Sequence, residues 1–157
     1  MNSNIFGMCV LLLSCRVVAA ETINYKCDQD FLKQVKESDF TVKGTTQCLL
    51  ADLNGDGQKE TVAFREIPSE HPDVTETFRV RVYFVSKGKI SKSIPIDHKF
   101  GLPPMLYKSD ETFKHYGCPT TGLTGLLDPG EGGTNYVYLW QAKTSTFKEF
   151  ICRSEDE

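Results

Sequence analysis

Cysteine placement constrains the fold of this chain more than any other feature of its sequence. The 157 residues include six cysteines, and four of them follow the apolar N-terminal segment: Cys27, Cys48, Cys118 and Cys152. In an exported chain an even number of cysteines indicates disulfides, and four cysteines allow three pairings. We expect Cys27–Cys48 and Cys118–Cys152, because each pair closes a loop of modest length between segments that should be neighbours. Zinc binding is a weaker interpretation, since no two of these cysteines have the C-x-x-C spacing that presents two thiolates from one turn.

The first 20 residues have the pattern of a signal peptide. Residues 10–13 form its apolar centre, and Val18, Ala19 and Ala20 supply the small side chains that a signal peptidase requires. The apolar run is too short to cross a bilayer. We therefore expect residues 1–20 to be removed and residues 21–157 to form a single β-rich domain that is periplasmic or secreted. The alternative is a lipobox at residues 12–15, whose cleavage would leave a lipid anchor on Cys15.

Alternation of apolar and polar side chains predicts that most of this domain is β-structure. The clearest case is residues 77–86, where apolar side chains alternate with Arg79, Arg81 and Tyr83. Other strands are predicted at residues 47–53, 60–67, 89–96, 123–127, 135–141 and 146–153, with a long loop of short strands at 98–121 and a turn at 128–133. The one predicted helix spans residues 28–37 and is capped by Asp28. The fold expected is mostly β: antiparallel hairpins in a partial propeller-like or sandwich arrangement with one N-terminal helix.

Composition and motif content argue against two classes of function. The chain has 18 Lys and Arg against 21 Asp and Glu, a net charge of −3, and its sequence shows no basic patch or Arg-rich stripe. Nucleic acid is therefore not an expected partner. His71, His98 and His115 stand alone in polar or loop contexts, which is typical of surface residues. Since no G-x-S-x-G, H-E-x-x-H or G-K-[ST] motif occurs either, we expect no enzymatic activity.

Residues 52–60 carry the strongest chemical signal, because side-chain oxygens occur at alternate positions and Gly57 permits a tight bend. The predicted calcium ligands are Asp52, Asn54, Asp56, the Gln58 carbonyl and Glu60. Hard oxygen ligands around one centre are typical of calcium sites, and the role expected here is structural. An EF-hand is excluded, since Ala63 stands where its last glutamate would be. The alternative is a plain Asn-Gly/Asp-Gly hairpin turn, which needs only two of these residues.

A family resemblance rests on the segment CLLADLNGDGQKETVAF at residues 48–64. It resembles the strand–loop–strand of FG-GAP/VCBS-type β-propeller blades, which bind calcium through D-x-[DN]-x-DG-x-x-[DE]. Residues 126–140 and 147–150 are similar to small bacterial periplasmic proteins with a single such loop. That group includes invertebrate-type lysozyme inhibitors and immunity proteins against secreted peptidoglycan hydrolases, such as those of type VI secretion. The resemblance implies calcium as a cofactor and a cell-wall hydrolase as a protein partner.

Two loops are candidates for contacting such a partner. In the inhibitors a loop with the motif S-G-x-x-Y can enter the enzyme's cleft, and residues 132–136 resemble it with Gly132 in place of the serine. Residues 116–122 are similarly rich in Gly and small polar side chains, and pairing of Cys118 would pre-organise them. The predicted partner-binding residues are Thr120, Thr121, Gly133, Thr134, Asn135 and Tyr136. The alternative is that both loops only connect strands.

Two functions remain open on this sequence. The first is a periplasmic inhibitor or immunity protein that occludes the active site of a peptidoglycan hydrolase. The second is a secreted calcium-binding module that recognises a glycan or a surface protein without inhibiting an enzyme. We expect Tyr138 and Trp140 to pack in or beside the core, and a sugar-stacking platform is the alternative.

Overall fold

The computed structural model describes residues 25–68, 77–109, 117–130 and 133–153, and its strands form two antiparallel four-stranded sheets. The mostly β class predicted from the sequence is confirmed, and the two sheets do not form a closed propeller. The predicted signal peptide and its lipobox alternative at Cys15 lie outside the described residues, as do His71 and His115.

The first sheet is an antiparallel meander in the order β1-β2-β3-β4. Its strands are β1 (Gln47–Ala51), β2 (Glu60–Ile67), β3 (Thr77–Ser86) and β4 (Lys89–Phe100). β2 and β3 have the predicted bounds, whereas β1 ends before the predicted residue 53. β4 continues past its predicted end at Ile96, because a register shift opposite Arg79 and Val80 returns Phe100 to the core beside Phe78.

The second sheet is a meander in the order β5-β6-β7-β8. Its strands are β5 (Met105–Lys108), β6 (Thr124–Pro129), β7 (Thr134–Gln141) and β8 (Thr146–Arg153). β8 has the predicted bounds, and β5 lies in the predicted long loop. The predicted turn at residues 128–133 is partly wrong, because Asp128 pairs with Tyr136 and so belongs to β6.

The two sheets pack on each other through a shared apolar core. Val62, Phe64 and Val82 of the first sheet and Leu126 of the second are fully buried in this cluster. At one end of the interface, the Trp140 ring lies 5.2 Å from the Phe84 ring and 5.4 Å from the Phe147 ring, measured between centroids. Such contacts between large rings stabilise beyond their buried area.

The predicted ten-residue helix is much shorter than expected. α1 (Gln29–Leu32) begins at the predicted cap, since Asp28 Oδ1 accepts hydrogen bonds from the N–H groups of Asp30 and Phe31. The chain leaves the helix at Lys33, and a 3₁₀ turn follows at Glu37–Asp39. Gln34 explains the early end, because its side chain bonds the Gly88 carbonyl at 2.9 Å and the Ile90 N–H at 3.0 Å. No helix in the described ranges is long and apolar enough to cross a membrane.

A covering segment, residues 27–46, lies over the outer face of the first sheet. Its Cys27 is bonded to Cys48 of β1, with the two Cα atoms 4.9 Å apart. Phe31 packs edge-on against Tyr83, with ring centroids 5.2 Å apart. Arg65 of β2 is almost fully buried beneath this segment and donates to Glu37 Oε2 at 2.9 Å. Covalent, apolar and charged contacts therefore hold one short segment in place.

The outer face of the second sheet is covered in the same way. Cys118 is bonded to Cys152 of β8, with a Cα–Cα distance of 5.0 Å. Cys118 packs in a cluster with Tyr107, Val137 and Leu139, all buried. Both predicted disulfides are thus confirmed, and each joins a covering segment to the sheet beneath it.

We expect each disulfide to contribute about 2–5 kcal/mol to the free energy of unfolding, because each restricts the unfolded chain. Cys118→Ser with Cys152→Ser should therefore lower the urea midpoint without changing the far-ultraviolet circular dichroism at low denaturant. The Cys27→Ser, Cys48→Ser pair is the matched comparison, since its loop spans 21 residues against 34. Free thiol detected in the denatured, unreduced domain of residues 21–157 would contradict full pairing.

We expect the Glu37–Arg65 pair to make stability depend on pH. The Arg65 guanidinium lowers the pKa of the Glu37 carboxyl, first by hydrogen bonding and then by its charge. The stabilisation is therefore fully present above the ordinary glutamate pKa of about 4.3 and is lost as the pH falls through the lower folded value. Glu37→Gln should lower Tm at pH 7, and the difference from wild type should close on acidification. Glu66→Gln, at an exposed site on β2, is the control and should leave Tm unchanged.

Candidate functional site

The loop between β1 and β2 folds around the Asp52 carboxylate. Its Oδ1 accepts the Gly55 N–H at 2.8 Å and its Oδ2 accepts the Gly57 N–H at 2.9 Å. Both glycines have φ near +80°, a left-handed geometry that strongly favours glycine. The two glycines of the predicted loop are therefore required by its backbone.

The remaining predicted ligands continue this pattern along the loop. Asn54 Oδ1 accepts the Asp56 N–H at 2.9 Å, and Asp56 Oδ1 accepts the Gln58 N–H at 2.8 Å. Each side-chain oxygen that accepts one amide keeps a second lone pair for a cation. Within the described ranges, no three or more His, Cys, Asp or Glu side chains are grouped closely enough to hold a metal ion. In the described structure this loop is therefore held by the hydrogen bonds of a turn, and calcium binding stays a prediction.

Glu60 is the most unusual member of this set because it is buried. It begins β2, is 3% exposed, and accepts the Leu53 N–H on Oε2 at 2.7 Å. Burial raises the pKa of its carboxyl, and the charges of Asp56 and Asp52 raise it further, while the Leu53 hydrogen bond acts in the opposite direction. Carboxylate and carbonyl oxygens are the donors that calcium prefers, so the chemistry of these residues suits the ion, although the described acidic side chains are not gathered around one centre.

The loop at residues 117–122 is held by Ser109, a fully buried residue that follows β5. The Ser109 hydroxyl donates to the Pro119 carbonyl and accepts the Thr121 N–H at 2.7 Å, and the Ser109 carbonyl accepts the Gly122 N–H at 2.7 Å. Thr120, between these contacts, is exposed. We could not foresee the role of Ser109, because a single serine has no distinguishing pattern in the sequence.

The loop at residues 52–60 lies against Leu123, the residue that directly follows the loop at 117–122. A methyl group added at Gly55 would stand 2.9 Å from Leu123 Cδ2, so the backbone of one loop lies directly on the end of the other. Leu123 is itself fixed, since its carbonyl accepts the Ser109 N–H at 2.9 Å. The structure therefore brings together two elements that are distant in the sequence and that we predicted separately.

The second predicted partner loop is smaller than expected. Thr134, Asn135 and Tyr136 lie in β7, and the Gly130 N–H donates to the Thr134 carbonyl at 2.7 Å. Gly133 is exposed beside them. Asn135 pairs across the sheet with Cys152, the residue bonded to Cys118. Both predicted sets of partner-binding residues therefore lie near the C-terminal end of β8. In the second set, only Gly133 lies outside a strand.

The prediction that His98 is an isolated surface residue is wrong. Its Nε2 lies 2.8 Å from Asp128 Oδ2, which joins β4 of the first sheet to β6 of the second. The His98 ring also contacts Tyr136, with centroids 5.0 Å apart, and Asp128 Oδ1 accepts the Gly101 N–H. The partners are 30 residues apart, so no local pattern reveals the pair.

A group of basic side chains gathers on the outer face of the first sheet. Strand pairing places Arg65 opposite Arg79 and Arg79 opposite Lys99, with Arg81 two residues along β3. The sequence shows no basic run because these residues come from three strands. The only sequence pattern that indicates this group is the placement of Arg79 and Arg81 two residues apart on the polar side of β3.

Comparison with known proteins assigns no family to this chain: no family model, curated protein sequence or solved structure matches it. The resemblance of residues 48–64 to propeller-type calcium loops therefore stays a prediction that rests on those residues alone.

Proposed function

We propose that this protein is an exported inhibitor, periplasmic or secreted, that occludes the active-site cleft of a peptidoglycan hydrolase. The observation that carries the proposal is the loop at residues 117–122, which is exposed at Thr120 yet fixed at its base by Cys118–Cys152 and by Ser109. The proposal gives the chain a binding role and assigns it no catalytic residue.

Rigidity of this loop is what suits it to occlusion. An inhibitor that enters a cleft loses affinity if its loop must first become ordered, and a disulfide and hydrogen bonds made in advance remove that cost. Glycine at positions 117 and 122 has φ values of 64° and 77°, so the backbone turns tightly at both ends. Small side chains between them allow close approach to a narrow cleft.

We further propose that calcium stabilises the base of this loop. Asp52, Asn54, Asp56, the Gln58 carbonyl and Glu60 would hold the ion, which would offset the mutual repulsion of the acids. Because Gly55 lies against Leu123, an ordered calcium loop would support the end of the proposed inhibitory loop. The role of the ion is structural.

A sugar-stacking platform at Trp140 has less support than protein binding. The Trp140 ring lies between Phe84 and Phe147, and Lys92 Nζ stands 5.4 Å from its centroid. A ring that contacts three neighbours offers little free face to a sugar. Recognition of a surface protein without inhibition remains the alternative that the experiments below separate.

We expect calcium-depleted protein to take up one calcium ion per chain in a calorimetric titration. At 100 times the dissociation constant, the ion should stabilise the fold by about 2.7 kcal/mol. Asp56→Ala should weaken binding by roughly tenfold or more while keeping both turn glycines. Asp30→Ala removes another exposed acid, on α1, and should leave calcium affinity unchanged. Absence of calcium uptake by the wild type, together with an unchanged Tm, would show the plain-turn alternative to be correct.

We expect the mature protein to inhibit digestion of purified peptidoglycan by at least one hydrolase in a panel of an invertebrate-type lysozyme, a chicken-type lysozyme and a secreted amidase. Thr120→Arg should raise the concentration for half-inhibition by roughly 30-fold or more, since a bulky charge would block entry to the cleft. Thr134→Arg tests the second predicted surface in the same assay.

Thr144→Arg is the matched control, because it places the same side chain on the exposed β7–β8 turn, outside both predicted loops. It should fold and inhibit like the wild type. Inhibition of wild-type strength by both folded Thr120→Arg and Thr134→Arg would place the contact surface elsewhere. Binding to a hydrolase without any loss of its activity would favour the non-inhibitory alternative.

A further inference from the structure

A small cleft on the outer face of the first sheet is lined by two arginines. Its volume is about 140 Å³, and it lies between the covering segment, which contributes Asp39 and Phe40, and the strands β3 and β4. Arg79 and Arg81 line it from β3 and Asp97 lines it from β4. This cleft is separate from both loops of the proposed inhibitory surface, and the inference does not depend on that function.

Two of the three arginines on this face donate hydrogen bonds to neighbouring groups, and neither has a buried nitrogen without a partner in the described part of the chain. Arg65 donates to Glu37, to the Thr46 hydroxyl and to the Val42 carbonyl. Arg81 donates to the Asp39 carbonyl at 2.8 Å and to the Ser93 hydroxyl at 3.0 Å. These contacts hold both guanidinium groups in place, and Arg65 is buried as well.

Arg79 differs from the other two. Its Nε is buried, and no group in the described part of the chain accepts a hydrogen bond from it. No ion pair among the described residues includes Arg79 or its cross-strand neighbour Lys99. Leaving a buried donor unsatisfied costs free energy, and like charges directly opposite on neighbouring strands add to that cost. Because neither cation has an ion-pair partner among the described residues, an anionic group between them would offset their repulsion.

We infer that the cleft at Arg79 binds a carboxylate group. The two terminal nitrogens of a guanidinium present parallel N–H groups along one edge, and this edge matches the two oxygens of a planar carboxylate. Asp39 and Asp97 also line the cleft, so a doubly charged phosphate would be repelled more than a singly charged carboxylate. The ligand class is therefore a monocarboxylate, either a free acid or a carboxylate carried by a peptide.

Nitrogen-15 NMR of the mature protein tests this inference directly, because a buried Arg Nε–H gives an observable cross-peak. Sodium acetate replaces sodium chloride at constant ionic strength, and the Arg79 peak is assigned by its loss in Arg79→Lys. We expect a saturable shift of the Arg79 Nε–H peak and no matching shift of Arg81, whose Nε already donates to the Asp39 carbonyl. Acetate should also raise Tm in the wild type and in Arg153→Gln, and Arg79→Gln should lose that rise.

Two further probes separate the sources of the carboxylate. N-acetylglycine presents a chain-terminal carboxylate, and N-acetylglutamate α-amide presents a side-chain carboxylate; saturable binding of either supports the inference and identifies the source. An acetate shift that never saturates, or that Arg65 and Arg81 share, would overturn it, as would tighter binding of inorganic phosphate than of acetate. The wild-type titration decides the matter even if Arg79→Gln does not fold.

Discussion

Each sheet of this protein has apolar side chains on both faces, and the rest of the structure follows from the need to cover both. The inner faces cover each other and bury Val62, Phe64 and Leu126 completely. The outer faces carry Ala63 and Tyr83 on the first sheet and Val137 on the second, all buried as well. No third layer of regular structure is present in the described ranges to cover them. Short segments with no more than single helical turns do so instead, and such segments are entropically costly to order.

The disulfides and buried polar contacts offset that cost. Cys27–Cys48 and Cys118–Cys152 attach one covering segment to each sheet, and each attachment has a second fixing point. In the first sheet it is Arg65, which reaches up to Glu37, and in the second it is Ser109, which binds residues 119–122. The loop that we propose as inhibitory is thus a by-product of covering an apolar face. Its rigidity has the same cause as the stability of the sheet beneath it.

Local patterns in the sequence predicted the parts of the fold that local interactions determine. Strand β3 has the predicted bounds because apolar and polar side chains alternate along its first half, and β8 begins as predicted directly after the turn at residues 142–145. α1 ends early because Gln34 bonds the distant β3–β4 turn, a tertiary contact that overrides a marginal helix. The turn at residues 52–60 was predicted for the same reason, since Asp52 and the two glycines that it binds lie within a few residues of each other. The His98–Asp128 pair and the Ser109 contacts were not, because their partners meet only after distant strands have paired.

Each half of the molecule is contiguous in sequence, and each disulfide lies within one half. Strands β1 to β4 pair only with sequence neighbours, as do β5 to β8, so both sheets are assembled from local hairpins. If the chain is exported N-terminus first, as we propose, Cys27 and Cys48 are both available long before Cys118 appears. That order would favour the native pair over the two mispaired arrangements, and correct oxidation would require little reshuffling by an isomerase. Only the docking of the two finished halves, through contacts such as His98 with Asp128, must await the whole chain.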